Sequence, residues 1–109
     1  MSAPAAPGWT FLSNHGHVLV CLARDPDVRV REIATRVGIS ERAVLRILGE
    51  LEEAGYVRRI REGRRTRYAL QAGLPLRHPV EAHRSVGDLV AAVGAPPEPR
   101  RRRGSGESA

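Results

Sequence analysis

The chain has 109 residues and a formal net charge of +6, and all 18 of its basic residues are arginine. This length predicts one small domain, whose core is limited enough that a second subunit would help to bury it. A single cysteine excludes a disulfide framework and a cysteine-rich zinc site, and no apolar stretch approaches the roughly 20 residues that span a bilayer. The N-terminus has no basic or apolar signal segment, so we expect a soluble protein in the cytoplasm.

The positive charge is concentrated in one segment. Residues 55–70 hold six arginines and one acidic residue, a local net charge of +5, whereas residues 40–54 carry −2. Such a local surplus indicates a polyanionic partner more strongly than a basic overall composition does, because binding depends on the field at one face. Part of the arginine usage is also explained by a GC-rich coding genome.

The first predicted helix follows a small, proline-rich stretch over residues 1–8, which predicts a disordered tail. Ser13 or Asn14 can cap this helix, which runs to about Arg24. Residues 25–27, Asp-Pro-Asp, end it, because proline cannot continue the hydrogen-bond ladder. Its apolar stripe consists of Val18, Leu19, Leu22 and Ala23.

A second and a third helix follow a short β-like run that we expect at residues 28–30. The second helix begins at Arg31 and ends at Gly38, a residue suited to a left-handed C-cap. Ser40 is a good N-cap for the third helix, which continues to Ala54 and Gly55. The side chains predicted to face the core are Ile33, Ala34 and Val37 from the second helix and Val44, Ile47, Leu48 and Leu51 from the third.

The pattern then changes to a hairpin. Strands are predicted over residues 56–61 and 66–70, joined by a turn over residues 62–65, with Tyr68 and Leu70 facing inward. Val57 and Ile60 are three residues apart and would point to opposite faces of a strand, so the sequence does not decide which face is buried, and the register stays open.

A last helix is predicted to begin at His78 and Pro79, since proline suits the first turn, and to end at Gly94. Residues 94–109 predict a disordered tail that is rich in arginine. The apolar stripe of the helix consists of Val80, His83, Val86, Leu89, Val90 and Val93.

Two helices joined by a tight turn, a preceding helix and an arginine-rich hairpin predict a winged helix-turn-helix: a mainly α fold with a three-helix core, a small β-hairpin and a flanking C-terminal helix. The stretch REIATRVGISERAVLRILGELEEAGYVRR followed by EGRRTRYAL resembles the winged helix domains of bacterial MarR- and ArsR-type transcriptional regulators. The resemblance covers residues 28–70 well and the flanking helices only by pattern. It implies a dimeric DNA-binding repressor or activator without identifying the operator.

The predicted organisation is a tail at 1–8, a winged helix DNA-binding domain at 9–77, a dimerisation helix at 78–93 and a tail at 94–109.

The exposed side of the third helix is the predicted DNA-reading surface. Arg42 and Arg46 lie one turn apart, where each can bind guanine bidentately or clamp a phosphate; the alternative is a solvated face paired with Glu50. Glu41 can accept from a cytosine amino group, although the helix dipole explains a first-turn glutamate equally well. Three glutamates near the C-terminal end would repel phosphate, so the helix should approach DNA with its Ser40 end. The predicted DNA-binding residues are Ser40, Glu41, Arg42, Leu45 and Arg46 on the helix and Arg61, Gly63, Arg64, Arg65 and Arg67 in the hairpin.

The first and last helices form the predicted dimer surface. Each has an apolar stripe that a three-helix core and a hairpin would not fully cover, which is typical of an interface. The alternative is that the last helix folds back on its own subunit. The residues predicted to dimerise are Val18, Leu22, Val86, Leu89, Val90 and Val93.

No catalytic, metal or cofactor site is predicted. In ArsR-type metal sensors one common site places cysteines where this chain has Arg29 and Arg31, and the four histidines are spaced poorly for ligands on one helical face. Cys21 lies in an apolar helix, which favours an inert buried thiol over a redox sensor. No nucleophile–base pair, paired carboxylate or phosphate loop is present, so an enzyme is not expected.

These observations predict a cytoplasmic, nucleoid-associated regulator of transcription that binds double-stranded DNA sequence-specifically as a homodimer. Two alternatives stay open: a non-specific or architectural nucleic-acid binder, and a winged helix that serves as a protein-interaction module. The sequence does not identify a small-molecule effector.

Overall fold

The computed structural model describes residues 8–94. Apart from Gly8 and Gly94, the tails predicted at 1–8 and 94–109 lie outside the described residues. Within the described part, four helices surround a core, and two antiparallel strands follow the third helix. No helix in this part of the chain is both long and apolar enough to cross a membrane. The elements are α1 (Asn14–Arg24), α2 (Val30–Val37), α3 (Glu41–Glu53), β1 (Val57–Glu62), β2 (Arg65–Leu70) and α4 (Val86–Val93).

α1 and α3 begin at the capping residues that the sequence predicted, and α2 ends at its predicted C-cap. The Ser13 hydroxyl accepts a hydrogen bond from the Gly16 amide at 3.4 Å, and the Ser40 hydroxyl accepts one from the Ala43 amide at 3.0 Å. Both bonds satisfy an amide that the first turn of a helix leaves without a partner. Gly38, with φ of 85°, ends α2 in the left-handed conformation and turns the chain directly into α3.

The β-like run predicted at residues 28–30 forms no strand, although Arg29 has an extended backbone with φ of −93° and ψ of 155°. Val28 and Arg29 lie in the connection after α1, and α2 already begins at Val30. The Glu32 side chain accepts a hydrogen bond from the Arg29 amide at 3.0 Å, which stabilises the first turn of α2 at this point. The helix therefore begins one residue earlier than predicted and shortens the expected extended segment.

The core forms where α1, α2 and α3 cross and is closed by the hairpin and α4. Every apolar residue predicted to be buried on α3 is buried, and Ile33 and Ala34 of α2 join them, while Val37 packs half-buried at the edge. Burial of each large side chain contributes about 1.5–3 kcal/mol to folding. The largest fully buried side chains are Val18, Ile33, Val44, Ile47, Leu48 and Val86.

The hairpin is tighter than predicted. β1 and β2 pair along their whole length, and the last pair, Glu62 and Arg65, leaves a loop of only Gly63 and Arg64. Gly63 has φ of 61°, a conformation that two-residue hairpin loops favour and that glycine adopts without steric cost.

The register is decided by Val57, which is 2% exposed and lies opposite Leu70. Tyr68 and Leu70 pack against the core as predicted, whereas Ile60 is only half-buried. The face of β1 that contains Val57 therefore packs against the core, which settles the question that the sequence left open.

The last helix is about two turns shorter than predicted, because it begins at Val86. Ser85 is its N-cap: the Ser85 hydroxyl accepts from the Asp88 amide at 3.1 Å, and the Asp88 carboxylate accepts from the Ser85 amide at 2.9 Å. Val80 and His83, which the predicted apolar stripe included, are exposed.

Residues 78–84 form turns instead of the first half of that helix. The Leu76 amide donates to the Arg84 carbonyl and the Val86 amide donates to the Leu74 carbonyl, both at 2.9 Å. These bonds fasten both ends of the segment to the preceding chain and use backbone groups that a longer helix would have needed.

The predicted division at residues 77 and 78 does not separate two structural units. Val86 of α4 lies in the same core as the other helices, and the Arg24 side chain donates to the Gly94 carbonyl at 2.6 Å. Three residues predicted to dimerise, Val18, Leu22 and Val86, are only 0%, 4% and 1% exposed. That assignment is wrong for these three, because their side chains already pack inside their own subunit.

Candidate nucleic-acid interface

α3 has one face in the core and one face in solvent. The buried side chains Val44, Ile47 and Leu48 fix its rotation, so the positions between them point outward. Seven positions of α3 are exposed. We call five of them the outer face of α3: Glu41, Arg42, Leu45, Arg46 and Gly49; the other two, Glu50 and Glu53, lie toward the C-terminal end of the helix. The structure thus exposes every α3 side chain that the sequence proposed for DNA.

The start of α3 is held by Ser40. Because the Ser40 hydroxyl accepts from the Ala43 amide, its first role is to cap the helix. Arg42 lies in the first turn of α3, where the free amides and the positive end of the helix dipole also favour an anion. Arg42 is exposed and makes no salt bridge or side-chain hydrogen bond to any described residue.

Arg46 is held by a neighbour on its own helix. Its Nη1 donates to Glu50 Oε2 at 3.1 Å, and the other oxygen of Glu50 lies 2.6 Å from His15 Nε2 of α1. The hydrogen bond with His15, and then the one with Arg46, lowers the pKa of the Glu50 carboxyl. The Arg46 side chain is still 60% exposed, so the pair contributes little to stability and is easily exchanged for another anion.

The hairpin that follows α3 carries several exposed arginines. Arg58 and Arg61 on β1 and Arg64 in the loop are all exposed. Arg59 lies nearer to α3, with its Nε 3.7 Å from Glu52 Oε2, and so reduces the negative charge at the end of that helix. Arg58 is not among the residues predicted to bind DNA, although its position in the basic segment is a signal that could have identified it.

Two other hairpin arginines are directed back toward the protein. Arg65 Nη2 donates to the Asp27 carbonyl oxygen at 2.5 Å, and Arg67 Nε lies 3.6 Å from the Asp27 carboxylate. Arg67 Nη1 also donates to the two carboxylate oxygens of Glu62 at 3.1 and 3.2 Å. Of the four tip arginines predicted to bind DNA, Arg61 and Arg64 therefore extend outward, while Arg65 and Arg67 anchor the hairpin.

The remaining candidate groups lie away from this surface. Cys21 is buried, and desolvation raises the pKa of its thiol, although Arg36 and Arg24 act in the opposite direction. Among the described residues, no three His, Cys, Asp or Glu side chains gather in a group that could hold a metal ion.

Comparison with known proteins identifies the fold. Residues 13–58 match the family model for winged helix-turn-helix DNA-binding domains. A comparison with curated protein sequences finds no match.

Two solved structures are similar to this chain. The PcaV transcriptional regulator from Streptomyces coelicolor, solved with its natural ligand, has 24% sequence identity and a TM-score of 0.50, over 74% of this chain and 56% of that one. The zinc-dependent MarR family transcriptional regulator AdcR, in the Zn(II)-bound state, has 20% identity and a TM-score of 0.44, over 62% of this chain and 49% of that one. This chain thus spans little more than half the length of PcaV. The winged helix-turn-helix fold predicted from the sequence is confirmed.

Proposed function

We propose that this protein is a transcriptional regulator that binds double-stranded DNA sequence-specifically, occupies its operator as a homodimer and has no catalytic role. The observation that carries the proposal is the division of α3 into a buried apolar side and an outer face with Arg42, Leu45 and Arg46. α3 has 13 residues, which gives a length of about 20 Å and suits a major groove.

The distribution of charge supports one orientation on DNA. Arg42 lies at the Ser40 end of α3, whereas Glu52 and Glu53 lie at the other end. Phosphate repels the acidic end, so the Ser40 end approaches the groove first. Arg61 and Arg64 then reach the sugar–phosphate backbone or the neighbouring minor groove.

Arg46 and Arg42 are the proposed base-reading arginines. Arginine binds the O6 and N7 atoms of guanine in a bidentate geometry, which discriminates this base from the others. Arg46 must exchange Glu50 for guanine or phosphate, and the solvent exposure of the Arg46–Glu50 pair makes this exchange inexpensive. Glu41, at the start of α3, can accept from a cytosine amino group in the same groove.

Incompletely buried apolar side chains on α4 and before α1 support the homodimer. Leu89 and Val90 are half-buried on α4, and Val93 is 41% exposed. Trp9 and Phe11 are 71% and 92% exposed and stack edge-to-face with their ring centroids 5.0 Å apart. We propose these five residues as the dimer surface; a two-fold dimer would place the two α3 helices about 34 Å apart, one turn of DNA.

The regulatory role and the location with the nucleoid in the cytoplasm follow from this proposal. PcaV is described as a transcriptional regulator, and its likeness to this chain supports the fold on which the proposal rests. Whether an effector binds this chain is a separate question, because function depends on the residues of a site rather than on the fold.

Selection from a pool of random-sequence duplexes, repeated over a series of salt concentrations, tests the proposal. Enrichment of a near-palindromic motif supports a specific dimeric regulator. Steep salt dependence without enrichment supports an architectural binder instead, because phosphate contacts alone give that response. No binding at low salt excludes both and leaves the protein-interaction module.

A further inference from the structure

Gly49 lies inside α3 at a position where neither the backbone conformation nor a neighbouring described residue requires glycine. It is exposed, and a Cβ atom built on its backbone meets nothing within 4 Å. Its φ is not positive, unlike that of Gly38, Gly55 and Gly63, so the backbone does not require glycine. Glycine inside a helix is less stable than alanine, because it loses more conformational freedom on folding. A stabilising side chain is therefore missing from a place where the subunit has room for it.

Leu45 lies one helical turn before Gly49 on the same face. It is 53% exposed and is the one large apolar side chain on α3 that is not buried. A single exposed leucine means little by itself. Here, however, Arg42 lies one turn before Leu45 on the same face of the helix, and Arg46 follows Leu45 directly in the chain. The exposed side of α3 thus has Leu45 and Gly49 one turn apart, with Arg42 and Arg46 next to Leu45 and with Glu41, Glu50 and Glu53 toward the two ends of the helix.

We propose that Leu45 and Gly49 form a close apolar contact with the major groove, in which Leu45 packs against the C5 methyl group of a thymine. This inference rests on the proposed function and adds to it by identifying one kind of base, thymine, that the protein recognises in its operator. The thymine methyl is the apolar group that the major groove presents, so it is the natural partner for an exposed leucine among arginines. Gly49 lets the DNA approach the helix more closely than a residue with a side chain would.

Charge identifies the partner as DNA rather than a protein. On the outer face, Arg42 and Arg46 are the arginines nearest in sequence to Leu45, and the hairpin that follows α3 carries the exposed Arg58, Arg61 and Arg64. Protein docking surfaces exclude charge from their centre and bury a contiguous apolar patch, whereas this face has one leucine. Each half-site should therefore contain a thymine next to the guanine or phosphate bound by an arginine.

Replacement of thymine by uracil, which lacks only the methyl group, tests the role of Leu45. The probe is the most enriched duplex from the random-sequence selection, with each thymine replaced in turn. One replacement in the half-site should weaken binding by wild-type protein about four-fold, the effect expected for one buried methyl group. Leu45→Ala should bind the thymine and uracil duplexes equally, whereas Val80→Ala, which truncates an exposed valine in the turns before α4, should keep the difference.

Gly49→Ala tests the close approach. The substitution should raise Tm by about 4–8 °C, because alanine favours the helix, and should weaken DNA binding about ten-fold, because the added methyl group meets the DNA. If Gly49→Ala has a raised Tm but binds DNA with wild-type affinity, the close approach is overturned. If the substitution lowers Tm, Gly49 is needed for the stability of the fold rather than for DNA binding.

The outcomes separate this inference from the proposed function. If no duplex is enriched, the proposed function fails before any uracil comparison, and the inference fails with it. If a motif is enriched but contains no thymine, or if wild-type protein binds thymine and uracil equally at every position, only the inference fails. If Leu45→Ala keeps the discrimination, another side chain reads the methyl group and the assignment to Leu45 is overturned.

Discussion

Arg65 and Asp27 are joined across 38 positions of sequence: the guanidinium Nη2 donates to the backbone carbonyl at 2.5 Å. Asp27 belongs to the connection between α1 and α2, and Arg65 begins the second strand of the hairpin. The contact fixes the hairpin against the helices, and Arg67 adds an ion pair to the same aspartate at 3.6 Å. The direction in which Arg61 and Arg64 extend therefore depends on arginines that themselves point inward.

Arg46 and Arg64 should have different effects when each is replaced by alanine. Arg46→Ala should relax sequence preference and cost about 1–3 kcal/mol at the base that it reads, whereas Arg64→Ala should weaken all sequences alike and reduce the salt slope. Arg65→Ala should also weaken all sequences, but through loss of the anchor on Asp27. Affinities measured on the selected duplex, on single-base variants and on a random duplex separate these effects. Equal, sequence-independent losses for Arg46→Ala and Arg64→Ala would contradict the assignment of α3 as the reading helix.

Glu50→Gln should strengthen DNA binding. The carboxylate holds Arg46 at 3.1 Å in the free protein and, if it remained near the groove, would repel phosphate. Glutamine removes the charge while it retains the shape, so Arg46 becomes available at lower cost. Titration of the selected duplex at constant salt measures the change, and Arg46→Ala combined with Glu50→Gln is the control. A gain of the same size without Arg46 would mean that Glu50 acts by repulsion alone.

The N-cap of α4 should make stability depend on pH in the acid range. Hydrogen bonds from the Ser85 backbone and then from its side chain lower the pKa of the Asp88 carboxyl in the folded state. A group with a lowered folded pKa stabilises the protein above its unfolded pKa, which is about 4 for aspartate. This contribution is lost as the pH falls through the folded value. Asp88→Asn should therefore lower Tm at neutral pH and reduce its fall under acid, as thermal unfolding from pH 7 to pH 2 would reveal.

A charge on the proposed dimer surface should separate the subunits. Val93→Asp places a carboxylate on α4 where the side chain is 41% exposed, so the folded subunit tolerates it while an apolar interface does not. Sedimentation velocity should change from dimer to monomer, with helix content unchanged by circular dichroism. Val80→Asp, at a site that is 78% exposed, is the matched control and should remain dimeric. A wild-type protein that sediments as a monomer at all concentrations would contradict the homodimer itself.

Local signals were sufficient for the three-helix core. Ser13, Ser40 and Gly38 act through hydrogen bonds to residues three or four positions away, and the apolar spacing of α3 predicted which of its faces is buried. The same spacing placed Arg42 and Arg46 outside, so most of the candidate interface could be predicted before the structure.

The sequence by itself therefore determined the winged helix-turn-helix, because caps, turns and helical periodicity depend on neighbours along the chain. Only the tertiary structure decided where α4 begins, since the Val86 amide binds the Leu74 carbonyl instead of continuing a helix from Pro79. Tertiary packing likewise placed Val18 and Leu22 in the core rather than at an interface and directed Arg65 onto Asp27. Each of these outcomes depends on groups that are distant in sequence and compete for the same hydrogen bond or the same apolar surface. Helical periodicity in the sequence identifies an apolar stripe, but tertiary packing determines which other segment of the protein covers that stripe.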